Sequence, residues 1–405
     1  MNYLEEWYSS LQEFKWKNAL INDPHFRNLE SLKNELSAFL PESDLTGSLQ
    51  QNHDNWLLHI LFDKQPNSIF ILNEVAELLK YYKSIPGNEA YHLISKGGRI
   101  NYKGLPERLF EIHVNYLLRS VGLNPEIGHT YQVGANTKEI DILFKFGNTV
   151  FNVEATKYYD AFSEELLSLT SEILWKLQAM PVKRTLTMDE IFSGYIGFKK
   201  RDDNVVKKSK QLFYDGTKSF IHGYRSVKNT TIQHPEKKET EDFVFHIEPT
   251  FTHNYEKEYD KVLEDLPGYI KFRIAVDLQA NTYIATIRAS TKSSIEDGNL
   301  RLVKKIKEKL AQHKHYQGKL MIFIAIEQVF SSFNNNRAIP IRQKNIDADA
   351  IHRVIRGKAT VVLLFKELTR NGISYQKMIL GNGLEYDDLF KLLLKIRPVI
   401  RYTPD

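Results

Sequence analysis

Cysteine is absent from all 405 positions, which excludes disulfides, thiolate catalysis and cysteine-ligated zinc and is compatible with a reducing compartment. Long apolar runs are missing too. The longest, around Leu320 to Ile326, is strand-sized, far short of the roughly 18 residues of a membrane-crossing helix. The amino-terminal stretch MNYLEEWYSSLQEF has neither the basic start nor the apolar run of a signal peptide, so a cytoplasmic protein with no membrane partner is expected. An excess of one charge is also lacking: a formal +5 at this size permits a nucleic-acid partner without demanding one. Gly97-Gly98 is not part of a GxxxxGK(S/T) loop, and HExxH and nucleophile-elbow patterns are missing. Any ATP-driven motor must therefore be a separate protein.

What is present points to a mixed α/β protein of two or three units. Residues 1-100 read as a helical region, with SIFILNEVAELLKYYKSI stopping at Pro86-Gly87. Residues 101-160 open with a helix that has Pro106 in its first turn and Gly122 at its stop. Residues 161-267 read as a charged, mostly helical insertion. Residues 268-405 alternate strands such as YIKFRIAVDL, TYIATIRAS, KLMIFIAI and ATVVLLF with helices. The fold class expected is α/β with a mixed central sheet flanked by helices.

The most informative stretch is KEIDILFKFGNTVFNVEATK, Lys138 to Lys157. A two-residue turn at Gly147-Asn148 pairs Phe146 with Thr149 and, stepping outward, Asp141 with Glu154. Their Cβ atoms would be about 5 Å apart on one face. Ile142, Phe144, Phe146, Phe151 and Val153 make the opposite, apolar face, which pins that register. Like charges so placed destabilise a sheet unless they are solvated or hold a hard cation such as Mg²⁺. Both alternatives are open from the residues alone.

Three elements in order, a helix with an embedded Glu111, a strand bearing Asp141 and a strand ending in Glu154 followed by a lysine, resemble the PD-(D/E)xK (restriction-endonuclease-like) nuclease superfamily. The phrase EIHVNYLLRSVGL, with Glu111 eleven residues before Gly122, is similar to the first helix of Holliday-junction resolvases, and Asp141 lies thirteen residues before Glu154 as in their strand pair. The match covers about residues 103 to 160. Further on, LVKKIKEKLAQHKHYQGKLMIFIAI is similar to a helix-strand segment of uncharacterised bacterial members. The resemblance implies a restriction-endonuclease-like core and a Mg²⁺- or Mn²⁺-dependent endonuclease, with DNA favoured over RNA as substrate, in a restriction or phage-defence setting. It implies that Asp141, Glu154 and the Ala155 carbonyl hold the metal and that Glu111 binds a second ion or reaches the first through water. A homodimer or a separate motor or defence protein is a compatible partner.

The family pattern puts a lysine two residues after the glutamate, and here that position is Thr156. Lys157 comes one later, and strand alternation points it away from Glu154 unless a bulge re-aims it. The other donor is Lys309, bordering the stripe of Leu302, Val303, Ile306 and Leu310 with Gln312, Lys305 and Tyr316 on its flank. Lys157, Lys309 and no functional amine at all are the three options. The last makes the chain a catalytically inactive nucleic-acid-binding or assembly subunit.

Each remaining candidate has a plainer counterpart. Glu111 flanks the stripe Phe110, Val114, Leu117 and Leu118, where a solvated glutamate is common. The basic run Lys199, Lys200, Arg201, Lys207, Lys208 and Lys210, interleaved with Phe198 and Phe213, either tracks a phosphate backbone or is a soluble surface. His313 and His315 fall on different helix faces and are set aside as a metal pair.

Overall fold

In chain order the helices are α1 (Tyr3–Lys17), α2 (Leu29–Phe39), α3 (Asn67–Ser84), α4 (Leu105–Ser120), α5 (Ala161–Gln178), α6 (Asp203–Gly223), α7 (Ile295–Gln312), α8 (Ala348–Ile355) and α9 (Asp387–Lys395). The strands are β1 (Glu126–Val133), β2 (Asn136–Phe146), β3 (Thr149–Lys157), β4 (Ile191–Phe198), β5 (Glu236–Glu239), β6 (Phe243–Pro249), β7 (Gly268–Asp277), β8 (Thr282–Thr291), β9 (Lys319–Glu327), β10 (Ala359–Thr369) and β11 (Gly372–Leu380). These come from a computed structural model describing residues 3–17, 28–39, 57, 60, 61, 67–85, 105–133, 136–158, 161–178, 191–223, 236–249, 259, 261–277, 282–291, 295–315, 318–327, 343–369, 372–381 and 387–397. The protein is mixed α/β, in two compact units. One contains the described residues up to 158 and those from 295 onward; the other contains those between 161 and 291. Among the described residues no helix is long and apolar enough to cross a membrane.

The first unit is built on a mixed sheet of order β1-β2-β3-β9-β10-β11. Antiparallel pairs β1-β2-β3 give way to parallel pairing of β3 with β9 and of β9 with β10, and β11 returns antiparallel. Helices cover both faces. Val114, Leu117 and Leu118 of α4 and Leu389 and Leu393 of α9 pack on Ile142, Phe144, Phe151 and Val153. On the other face Leu302 and Ile306 of α7 and Ile351 and Ile355 of α8 pack on Ile322, Ile324, Val361 and Leu363. The hairpin register is the one its apolar face predicts, with Phe146 opposite Thr149 and Ile142 opposite Val153. Gly147 supplies the left-handed turn conformation, φ +58°. The Phe144 and Phe151 rings stack across the pair at 5.0 Å.

Helix α4 ends as its glycine predicts. Gly122 takes φ +85°, its N–H donates to Arg119 O and the Leu123 N–H donates to Leu118 O, while Leu118 and Leu123 share the core. This pattern satisfies the last carbonyls of a helix and turns the chain directly into β1. The amino-terminal helices do not stand apart: Trp7, Leu32, Leu36 and Leu72 share one core with Leu105, Leu109 and Ile112 of α4. Trp7 Nε1 donates to Ser68 Oγ and Tyr81 Oη to Asn115 Oδ1.

The second unit differs from the charged, mostly helical insertion read from sequence. Its centre is an antiparallel sheet of order β5-β6-β4-β7-β8. Strands β7 and β8, read above as the start of the second core half, pair here, β7 with β4 and β8 with β7. Helices α5 and α6 lie on one face of this sheet, around Phe192, Phe198, Phe213, Phe245 and Phe272. Charged connections mask the strand pattern, and β4 is buried along Phe192 to Phe198 instead of alternating between buried and exposed positions. Gly194 is the tightest point: a Cβ there would stand 2.1 Å from the His246 carbonyl oxygen and 2.5 Å from Phe272 Cζ. Backbone cannot yield as a side-chain tip can, so Gly194→Ala is expected to destabilise this unit by about 3 kcal/mol, the upper end for overpacking. Urea or thermal unfolding reads it, and an unchanged midpoint would contradict the contact.

Candidate active site

Beyond Ile142 and Val153 the ladder between β2 and β3 stops, one pair short of Asp141 and Glu154. On its other edge β3 continues alongside β9, with Glu154 opposite Ile322 and Ala155 opposite Phe323. The Ala155 N–H donates to Asp141 Oδ2 at 2.8 Å. A carboxylate thus accepts from the strand where β2 backbone no longer does. The sequence pairs the two acids as direct cross-strand neighbours; the structure keeps them close through this bond rather than through a regular pair.

Alternation puts Glu154 and Thr156 on the face covered by α7, both buried. From α7, Lys309 Nζ reaches Glu154 Oε2 at 2.6 Å. One turn on, His313 Nε2 lies 2.7 Å from Glu154 Oε1, so both carboxylate oxygens are engaged. Leu302 and Ile306 are buried and Val303 and Leu310 partly so, which is the stripe that aims the helix. Gln312 is exposed. Glu111 is buried on α4 and accepts from Arg108 Nη1 at 2.8 Å.

Lys157 is buried on the opposite face, lining a small pocket with Glu74, Phe110, His113, Lys366 and Tyr375. No bulge re-aims it, and regular pairing with β9 runs through Lys157 opposite Ala325. Of the two candidate amines the structure brings Lys309 to the acids and turns Lys157 away. His313 is the residue the sequence reading passed over. Its signal was spacing from Lys309 rather than from His315: positions four apart share a helix face.

The basic run belongs to the second unit, where Lys199 pairs with Glu239, Lys200 with Asp242 and Lys207 with Asp203. Phe198 and Phe213 are core residues. Aromatics interleaved on a phosphate-tracking surface are therefore not what this segment presents.

Electrostatics separate the two central acids. Burial, then the charges of Glu111 and Glu154, push the Asp141 carboxyl well above its ordinary value, against the Ala155 N–H and the Lys309 charge. Burial also acts to raise Glu154, but the His313 hydrogen bond and the charge and hydrogen bond of Lys309 outweigh it and hold that carboxyl below its ordinary value. Burial acts to lower Lys309, and the charge and hydrogen bond of Glu154, helped by the charges of Asp141 and Glu111, raise it instead. Neighbouring carboxyls driven apart in this way are suited to different tasks.

Opposite stability profiles follow. Asp141 has a folded pKa above its unfolded value of about 3.9, so its ionisation weighs against the fold at neutral pH, and that weight shrinks as pH falls below the folded value and is gone below the unfolded one. Asp141→Asn keeps an acceptor for Ala155 and is expected to raise the melting temperature at pH 7, the gain fading near pH 4. Glu154 has a folded pKa below its unfolded value of about 4.3; its stabilisation is present above that value and lost as pH falls through the folded one. Glu154→Gln is expected to cost about 3 kcal/mol at pH 7, as breaking a buried pair does, and less in acid. Melting curves across pH check both signs.

Among the described residues no group of three or more His, Cys, Asp or Glu side chains is gathered as a metal site. No family model matches the chain, and no curated protein or solved structure matches it significantly.

Proposed function

We propose that this chain is a metal-dependent phosphodiester hydrolase acting on nucleic acid, DNA before RNA. The observation that carries the reading is the meeting of Asp141, Glu154 and Lys309 where β2 leaves β3, with the charge of Glu111 felt at Asp141 and Lys309. The cluster is suited to a cation: one ammonium already pairs with Glu154 and is subject to the charges of Asp141 and Glu111, and oxygen-only donors match Mg²⁺ or Mn²⁺. Asp141 and Glu154, with the Ala155 carbonyl, would hold the ion, and Glu111 would contribute charge from α4. When bound, the ion supplies Lewis-acid relief of charge growing on the phosphate and makes water more acidic. The protein's own groups do the rest. The Ala155 N–H fixes Asp141, Glu154 stays ionised, and Lys309 donates hydrogen bonds to the phosphate oxygens as the water oxygen bonds to phosphorus and gives one proton to solvent, while the P–O ester bond breaks and the leaving oxygen takes a proton from solvent. The restriction-endonuclease-like core belongs to the same proposal, supported by the mixed strand order and by the helix α4 that precedes it.

Incubating the protein with plasmid, single-stranded DNA and RNA in Mg²⁺ or Mn²⁺, against a chelator control, tests this. Metal-dependent cutting is the expected result. Thr156, standing where the family pattern has its lysine, favours a second reading, an inactive nucleic-acid-binding or assembly subunit. Salt-dependent binding with every substrate left intact would replace the hydrolase by that subunit.

A further inference from the structure

Both oxygens of Glu154 are occupied, one by Lys309 at 2.6 Å and one by His313 at 2.7 Å. The two partners are not equivalent. Lys309 also interacts with the charges of Asp141 and Glu111, and the carboxylate it reaches, that of Glu154, adjoins the Ala155 N–H that holds Asp141. His313, itself buried, grips the other oxygen from the first position of the turn that follows α7. A divalent ion drawn to these acids meets Lys309 as a competitor of the same sign. His313 bonds Oε1, the oxygen that Lys309 does not hold.

We propose that Lys309 holds the place of the cation in the resting protein, and that His313 is a positioning residue that anchors Glu154 when metal binding displaces Lys309 toward the substrate phosphate. Without the anchor, Glu154 released by Lys309 is free to rotate about its side-chain bonds, and half of the donor pair is lost. With the anchor, only the flexible lysine has to move, and its long stem allows that. The inference rests on the hydrolase reading and assigns His313 a task that a merely structural histidine would not have.

The test is Mn²⁺ binding to the full chain without nucleic acid, by calorimetry and by the shift in melting temperature, with circular dichroism as the check on folding. Lys309→Met is expected to bind Mn²⁺ about tenfold more tightly than wild type, because the resident positive charge is gone. His313→Phe, which keeps an aromatic ring but no polar nitrogen, is expected to bind about 10- to 100-fold more weakly, the usual cost of losing a ligand's support. His313→Gln restores an N–H near the Nε2 position and should recover most of that loss. Weaker binding in Lys309→Met, or wild-type binding in His313→Phe, would overturn the inference. If Asp141→Asn binds Mn²⁺ as wild type does, the metal-site reading itself fails, which separates the two outcomes.

Discussion

Asp141→Ala is expected to lower metal-dependent cleavage by on the order of 10²- to 10⁴-fold, the range for removing a positioned acid, base or charge-stabilising group. Asp141 sits between the Ala155 N–H and the negative charges of Glu111 and Glu154, a position the fold maintains against its own stability. Alanine removes the carboxylate and also strands the Ala155 N–H, which costs about 1–3 kcal/mol where water cannot reach it. Asp141→Asn separates these effects: it keeps an acceptor for Ala155 and removes only the charge. Both variants should lose cleavage, while Asn gains thermal stability at neutral pH. Initial rates on plasmid DNA with Mg²⁺ or Mn²⁺ read the effect, and cleavage unchanged in Asp141→Ala would sink the hydrolase reading.

Replacing Lys309 by methionine is expected to reduce the cleavage rate about 10²- to 10³-fold, as loss of a charge-stabilising donor does, whereas Lys157→Met leaves it at the wild-type level. The contrast follows from placement. Lys309 Nζ is 2.6 Å from Glu154 Oε2, and Lys157 lines a pocket on the other side of the sheet. Lys309→Met should also destabilise the metal-free protein by about 3 kcal/mol, the lower end for breaking a buried pair, because His313 still holds Glu154. Single-turnover rates and urea unfolding measure the two effects independently. Equal loss of cleavage in both variants would contradict the assignment of the amine.

The hairpin was legible because its information is local. Alternating apolar residues on Ile142, Phe144, Phe151 and Val153 and a Gly-Asn turn leave one register in which those side chains are buried, and that register is the one found. The stop of α4 at Gly122 was legible for the same reason. Phe192, Phe198 and Phe245 in the second unit were harder. Their strands are separated by charged connections and paired by contacts distant in sequence; YIKFRIAVDL and TYIATIRAS read as strands but are not assigned to that sheet by sequence.

For the acid cluster the division is sharper. Strand alternation put Asp141 and Glu154 on one face but left Lys157 open, since a bulge could re-aim it; the end of the β2–β3 ladder at Ile142 and Val153 and the regular pairing of Lys157 with Ala325 belong to the tertiary structure. Residue order could not choose Lys309, which meets Glu154 from 155 positions away, nor single out His313. That choice depends on where α7 is packed, and the packing is set by Leu302 and Ile306 seated on Ile322 and Ile324. Local geometry is carried by the backbone's short repeat, whereas the partner that neutralises a buried charge is selected by the burial of apolar faces the chain brings together only on folding.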